Sequence, residues 1–497
     1  MAPSVAFRAF DGKLLVNLSY EKYEKHEDPP LMMKPNIFRG GLVSEFYPLP
    51  ASFNYSSTND YRDVFTENSI GTVDWAISRN WNFRATFAKT DSEVSLLSTG
   101  QAGTGLIGDV PASGNLPAIA AINAMQRRVR FNFDESVIRD QNYEMVGKFD
   151  VGPAKVRVLA GYLNGKADGG GRQVTLPGNL QPRAWDLSSP ATWDRSGLFS
   201  PSQMFGGGST FFGRQKAWWV GAGVTVLDDR LIGLAGYRES RITTGAGKNT
   251  GKPMQLGLLY KGPGGINPYV AYTESFQPVF ALLRRDGVPT VQAEPTYGEG
   301  MEAGVKIDAL EGRFSSTFTV FQTTNTNIIQ NIVKFVNSQT VFDDVQTGEQ
   351  EAQGVELDFV WTPQRNLQLY ASYAYTDASI SKNPQNPAFE GRRFQGVARN
   401  QIGLWTRYSF TDGFMKGGYV AGGGNYLGGQ LQRVENQSME FAPYWLLDLA
   451  IGYPLKISNQ RFDLELSVKN ITDEDYAPSN NSRGYPRRAT LSVTTKF

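Results

Sequence analysis

Apolar and polar residues alternate along most of this chain with a period of two. Near the carboxyl terminus Phe462, Leu464, Leu466 and Val468 interleave with Asp463, Glu465, Ser467 and Lys469. After a polar loop, Ala489, Leu491, Val493, Thr495 and Phe497 repeat the pattern to the last residue. Side chains of a strand point alternately to opposite faces, so each run predicts a strand with one apolar and one polar face. Runs of this kind, bounded by turn residues, predict about eighteen strands. Short turns join them in pairs at Asp11-Gly12, Arg79-Asn80, Gly152-Pro153, Asp228-Asp229, Gly262 to Gly265, Glu311-Gly312, Pro363 to Asn366, Asp412-Gly413 and Ser458 to Gln460. Long loops separate the pairs, the longest being Pro29 to Tyr61, Gly100 to Gln126 and Gly169 to Gly213.

Tight turns on one rim and long loops on the other predict an all-β fold, a transmembrane antiparallel β-barrel. The polar positions suit a wet interior. Glu356 and Asp358 oppose Val355, Leu357 and Phe359, and Arg313, Ser315, Thr317 and Thr319 oppose Phe314, Phe318 and Val320. Aromatics gather near strand ends, at Trp75, Trp81, Trp218, Trp219, Trp361, Tyr408, Phe410, Tyr444 and Trp445, as an interfacial girdle requires. A soluble sandwich or propeller would also alternate, but no motif of about 40 residues recurs as a propeller needs.

Composition narrows the chemistry. No run approaches the roughly eighteen apolar residues of a membrane helix. The balance of 49 basic and 48 acidic residues leaves no polyanion footprint, so nucleic acid is not an expected partner. With no Cys and a single His, His26, the usual zinc and iron ligand sets cannot be assembled, and no metal site or cofactor is expected. Inward carboxylate pairs, Glu356 with Asp358 and Asp463 with Glu465, have the form of a hydrolase dyad, yet a watery barrel wall carries such charges anyway. Two glycine patterns imitate phosphate loops. Gly103 to Gly108 runs into Val110-Pro111 with no helix to follow, and Gly245 to Lys252 is followed by Pro253; both are expected to be flexible loop.

Eight short stretches in order resemble the TonB-dependent outer-membrane receptors, within them the ferric-siderophore branch. They are Ser275-Phe276-Gln277-Pro278; Glu302 to Lys306 followed by Glu311-Gly312-Arg313; Gly354-Val355-Glu356-Leu357; Asn400-Gln401 to Tyr408; Gly422-Gly423-Gly424 with Tyr426; Asp448 before Tyr453; Val468 to Asp473 with Tyr476; and Gly484-Tyr485-Pro486-Arg487. The resemblance implies a twenty-two-stranded barrel around an N-terminal plug. It implies uptake of ferric siderophores without chemistry, so that iron enters only as a chelate, and energy from the TonB-ExbB-ExbD complex delivered to a box ahead of the plug. Against that pattern, residues 1–497 are expected to form a single barrel domain, the C-terminal portion of a receptor with the plug and the first three to four strands missing. Two other readings stay open: a truncated, non-transporting fragment or ungated pore, and a receptor for another solute such as cobalamin or a glycan.

The resemblance also implies sites. Aromatic faces stack on planar chelators and guanidinium forks pair with anionic oxygens. The candidate ligand surface is therefore Trp185, Trp193, Phe199, Phe205, Phe211 and Phe212 with Arg172, Arg183, Arg195, Arg284, Arg285, Arg392 and Arg393. Leu491, Val493, Thr495 and Phe497 would form the signal read by the barrel-assembly machinery, with Thr495 where relatives commonly carry an aromatic. The implied location is the outer membrane of a Gram-negative bacterium, with its lipid as a further partner.

Overall fold

The computed structural model describes residues 2–27, 36–39, 42–46, 60–101, 106–110, 127–175, 208–283, 289–336, 339–384, 387–433, 436–458, 460–476, 478 and 484–495. The chain divides into two compact units, each an antiparallel meander. The first unit carries β1 (Ser4–Ala9), β2 (Leu14–Glu27), β3 (Tyr61–Ala76), β4 (Trp81–Gln101), β5 (Arg127–Val151) and β6 (Ala154–Thr175), with most of β7 (Gly208–Val226) and β8 (Leu231–Thr244). Neighbours in sequence pair in register from β1 through β7.

The second unit carries β9 (Met254–Tyr260), β10 (Ile266–Gln277), β11 (Thr296–Ala309), β12 (Phe314–Val336), β13 (Gln339–Gln364), β14 (Leu367–Lys382), β15 (Asn400–Ser409), β16 (Tyr419–Gly428), β17 (Tyr444–Ile457), β18 (Gln460–Lys469) and β19 (Arg488–Thr495). Here too each strand pairs with the next. Alternation alone predicts about eighteen strands; among the described residues the paired strands of this kind are twenty, these nineteen and Gly247–Gly251.

The pairing register carries the alternation across the sheet. On β17, Trp445, Leu447, Leu449, Ile451, Tyr453 and Leu455 are all exposed, while the residues between them are less so. Ile451 lies beside Leu466, and Leu466 beside Leu491; on the other face Gly452 lies beside Glu465 and Glu465 beside Ser492. The same division holds on β12 and β13, where Phe318 pairs with Leu357 while Thr319 pairs with Glu356. Apolar side chains thus point away from the polar wall, the reverse of a soluble sandwich, whose buried core is apolar.

The tight turns follow from local sequence. Phe10, Asp11 and Gly12 have φ of 52°, 53° and 82°, and Leu310, Glu311 and Gly312 repeat this with 53°, 57° and 80°. The third position of both is glycine, which takes a left-handed conformation without a Cβ penalty. The Gly12 and Lys13 amides donate to the Ala9 and Phe10 carbonyls at 3.2 and 3.0 Å.

Several segments expected as loop are strand. β6 continues through Gly169, Gly170 and Gly171; Gly169 lies under the Phe211 ring and Gly171 against the Asp134 carboxylate. A Cβ on Gly169 would stand 2.6 Å from Phe211 Cζ. Gly247–Gly251 pairs with Ser240 to Thr244, and Gly251 lies under the Phe276 ring. Leu106–Val110, inside the false dinucleotide pattern, pairs in parallel with Asn36–Arg39, which also pairs with Leu42–Phe46. Among the girdle aromatics, Trp75, Trp81, Trp218, Trp361, Tyr408 and Trp445 are exposed on the apolar face. Trp219 and Tyr444 turn the other way: Trp219 covers Gly161 beneath Arg238, and Tyr444 is buried against Tyr476 at 4.6 Å between ring centroids. In Trp218-Trp219 and Tyr444-Trp445 two aromatics are adjacent, so only one of each pair can face outward.

Candidate ligand-binding surface

In the first unit the end away from the tight turns carries the polar face of β2 to β6. Lys25 and Arg62 both pair with Glu27, Arg62 at 3.0 Å, and the Lys25 ammonium, followed by Arg62, holds the Glu27 carboxyl below its ordinary range. On β5, Arg130, Asn132 and Asp134 alternate with Phe131 and Phe133 and lie on this same polar face. Arg130 Nε and Asn132 Oδ1 are buried without a hydrogen-bond partner, as is Asn142 Oδ1 further along the strand. A buried donor and acceptor without partners are costly unless something polar meets them. Sequence reasoning passed over these residues, although the alternation from Arg130 to Asp134 displays them.

Phe211 packs over Gly169 on the polar face, whereas Phe212, one residue on, faces the opposite way. Arg172 pairs directly across from Phe133, on the face away from Arg130 and Asn132. Of the three, only Phe211 shares a face with the unpaired polar atoms. Trp185, Trp193, Phe199, Phe205, Arg183, Arg195, Arg284 and Arg285 lie outside the described residues.

In the second unit Arg392 stacks its guanidinium over Phe389 at 4.9 Å. Arg393 is occupied by its own protein. Its Nη1 donates to Glu440 Oε1 at 2.6 Å, its Nη2 to the Gly429 carbonyl, and its backbone exchanges two hydrogen bonds with the Gln437 side chain. Only 16% of the Arg393 side chain is exposed, and it ties the segment after β14 to Gly429 and to the paired strands Leu431–Arg433 and Asn436–Glu440. Arg399, just ahead of β15, pairs with Asp377 at 2.8 Å, and that hydrogen bond raises its pKa further.

The strongest polar knot is the segment after β18. Asn470, 5% exposed, receives the Glu474 amide on Oδ1 at 2.8 Å and donates from Nδ2 to the Glu474 and Tyr485 carbonyls at 2.9 and 3.1 Å. Its own amide donates to Asp448 Oδ1 at 2.8 Å, while Lys469 Nζ holds Asp448 Oδ2 at 2.7 Å. The Arg487 amide closes on Asp473 Oδ1 at 2.7 Å, and Gly484 lies flat beneath Tyr476. Residues 468–476 and 484–487 are therefore tied into a folded clasp that sets the entry into β19.

On β19, Leu491, Val493 and Thr495 share the apolar face with Leu466, Leu464 and Phe462, and the Thr495 hydroxyl donates to the Arg461 carbonyl at 3.0 Å. Phe497 lies outside the described residues. His26 Nδ1 stands 2.5 Å from Asp63 Oδ1, with no nucleophile assigned to the pair. Among the described residues no group of three acidic or histidine side chains could hold a metal.

The family model described as "TonB dependent receptor-like, beta-barrel" matches residues 12–471. The chain belongs to the TonB-dependent receptor β-barrel family. Its all-β antiparallel strands are those of that family, whose β-barrels are outer-membrane proteins. The ferric preacinetobactin receptor BauA of Acinetobacter baumannii superposes with a TM-score of 0.80 at 18% identity, covering 100% of this chain and 71% of that one. The ferrioxamine B receptor of Salmonella typhimurium strain SL1344 is 29% identical over 231 residues, 46% of this chain and 31% of that protein. The metal-pseudopaline receptor CntO of Pseudomonas aeruginosa strain UCBPP-PA14 is 28% identical over 248 residues, 49% of this chain and 33% of that protein. The chain spans about a third of the length of these two curated relatives.

Proposed function

We propose that the chain forms the barrel wall of a receptor that takes up ferric siderophores across the outer membrane of a Gram-negative bacterium. The observation that carries this reading is the polar inner face at the loop end of the first unit. There Arg130 Nε and Asn132 Oδ1 stand buried and unpaired, and the exposed Phe211 ring lies on that same inner face. The Arg130 guanidinium answers the anionic and hydroxamate-type oxygens of an iron chelate, Asn132 Oδ1 accepts from an N–H or O–H of its backbone, and an aromatic face answers its planar parts. Names of relatives that bind ferrioxamine B and ferric preacinetobactin support the same ligand class.

In this reading the protein binds a preformed chelate and carries out no covalent step. Energy comes from the TonB-ExbB-ExbD complex through a plug seated in the barrel, and β19 presents Leu491, Val493, Thr495 and Phe497 to the barrel-assembly machinery. The test is equilibrium titration of the purified protein with a panel of ferric hydroxamates, catecholates and mixed chelates, followed by tryptophan fluorescence. Saturable binding of one class, weakened in Arg130→Ala and Asn132→Ala, is the expected result. Flat titrations across the panel, with binding of cobalamin or an oligosaccharide instead, would replace the siderophore by that solute.

A further inference from the structure

On the outer face of β4 to β6, Phe87 and Tyr143 meet edge to face at 5.9 Å and form, with the exposed Tyr162, an aromatic layer that marks the boundary between hydrocarbon and headgroups. Well beyond that layer along β5, and on the inner face, Arg130, Asn132 and Asp134 follow one another at every second position. Same-face neighbours on a strand lie about 7 Å apart, so the row runs about 14 Å from its first residue to its last. It has a direction. A cation stands at one end and an anion at the other, with the buried, unpaired acceptor Asn132 Oδ1 between them. Asp134 is exposed and, among the described residues, has no ion-pair partner.

Two glycines of β6 shape the wall beside Asp134. Gly171 is its direct cross-strand neighbour, and Gly169 is that of Ser136, the next inner position. A Cβ on Gly171 would stand 2.5 Å from Asp134 Oδ1, and one on Gly169 2.6 Å from Phe211 Cζ. The carboxylate and the ring therefore both lie down against β6, where side chains at these two positions would hold them off. Phe211 is 50% exposed, so a carboxylate and an open aromatic face border the same stretch of wall. An ammonium group is attracted by both, through charge and through the ring quadrupole. An anionic oxygen is repelled by both.

We propose that the Asp134 and Phe211 subsite takes an uncoordinated ammonium group of the iron chelate, so that the receptor selects chelates carrying a free primary amine. The inference rests on the siderophore reading above and fixes an orientation within it. The iron-binding oxygens turn toward Arg130, a backbone N–H or O–H donates to Asn132 Oδ1, and the ammonium lies between Asp134 and Phe211.

The test uses the full protein in detergent and two matched pairs of ligands, a linear ferric trihydroxamate and a ferric triscatecholate. Each is offered with a free terminal amine and as its N-acetyl derivative, which keeps the iron-binding oxygens and loses the charge. Binding is read by tryptophan fluorescence at neutral pH. In the pair that binds, the amine form should bind about tenfold tighter. In D134N that preference should fall to about twofold or less, with the acetylated form bound as by the parent; D134E should keep the preference, and F211L should weaken it about threefold. Asp140 lies on the same face about 20 Å further along β5, opposite Gly165. D140N therefore removes the same charge from the wall and should leave the preference intact. Ethylammonium at equal concentration should not displace the chelate, since it lacks the contacts with Arg130 and Asn132. Binding of none of the four ligands to the parent would overturn the siderophore reading together with this subsite. Equal binding of amine and acetylated forms would overturn the subsite alone, as would a preference that survives in D134N, vanishes in D140N or yields to ethylammonium.

Discussion

Leu466 and Ser467 are neighbours on β18 that face opposite sides of the wall, and arginine at each provides a matched pair of perturbations. Leu466 is 45% exposed and lies between Ile451 and Leu491 on the apolar face; Ser467 lies between Ala450 and Thr490 on the polar face. The exposed apolar stripe of β17 runs from Trp445 to Leu455. At about 3.4 Å per residue and a tilt near 45°, that stripe covers roughly 24 Å, the height of the apolar band of an outer-membrane barrel. Ile451, opposite Leu466, sits near its middle. A charge there costs about 2–4 kcal/mol, or roughly 30- to 900-fold in the folding equilibrium. Leu466→Arg should therefore fold far less stably in vesicles, while Ser467→Arg should stay within about 1 kcal/mol of the parent, because its side chain reaches water. Denaturant titration in lipid vesicles, read by heat-modifiable gel mobility, gives both values. Equal costs at the two positions, or a larger one at Ser467, would refute the assignment of faces.

Three further outcomes follow from other parts of the chain. Asn470→Ala removes three side-chain hydrogen bonds, at about 1 kcal/mol each, from a residue at φ 50°. Loss of about 3 kcal/mol of local protection across residues 471–476 and 484–487 should appear in hydrogen exchange, with the β5–β6 pairing unaffected. Gly161→Ala drives a methyl into the Trp219 indole, and a cost of about 1–3 kcal/mol in unfolding is expected, smaller if Trp219→Leu accompanies it. Asp168 lies beyond the aromatic layer, and its hydrogen bond with Lys166 holds its pKa below the ordinary value of 3.8. Its folded value is depressed, so its contribution is present above the unfolded pKa and fades as the pH falls through the folded one. Asp168→Asn should accordingly flatten the acid branch of the stability profile and leave the neutral region little changed.

The alternation that divides Leu464 and Leu466 from Glu465 is local, and it carried the strand count, the turns and the two faces of the wall. What it did not carry depends on cross-strand neighbours. Gly169 to Gly171 and Gly247 to Gly251 look like loop in one dimension, and neighbours from other segments, the Phe211 ring on Gly169, Asp134 on Gly171, Gln292 on Gly247 and the Phe276 ring on Gly251, are what glycine makes room for in the sheet. Trp218-Trp219 signals a girdle but not which indole faces lipid. Val468 to Asp473 and Gly484 to Arg487 are legible as family marks, yet the role of residues 468–476 and 484–487 as a clasp around Asn470 emerges from hydrogen bonds between residues up to 22 apart. The candidate ligand residues were legible as residue types. Register separates Phe211 from Arg172 and Phe212, and side-chain partners turn Arg393 into a structural tie.

If this wall belongs to a receptor for an iron chelate, cells that carry it take up chelated iron. The protein, expressed in an outer-membrane host lacking its own siderophore receptors, is supplied with radio-iron bound to each chelate of the panel, with and without a functional TonB. Saturable accumulation from one chelate class, abolished without TonB and reduced by Arg130→Ala with Asn132→Ala, is the expected result. Accumulation that is unsaturable and indifferent to TonB would contradict it and leave an open pore in its place.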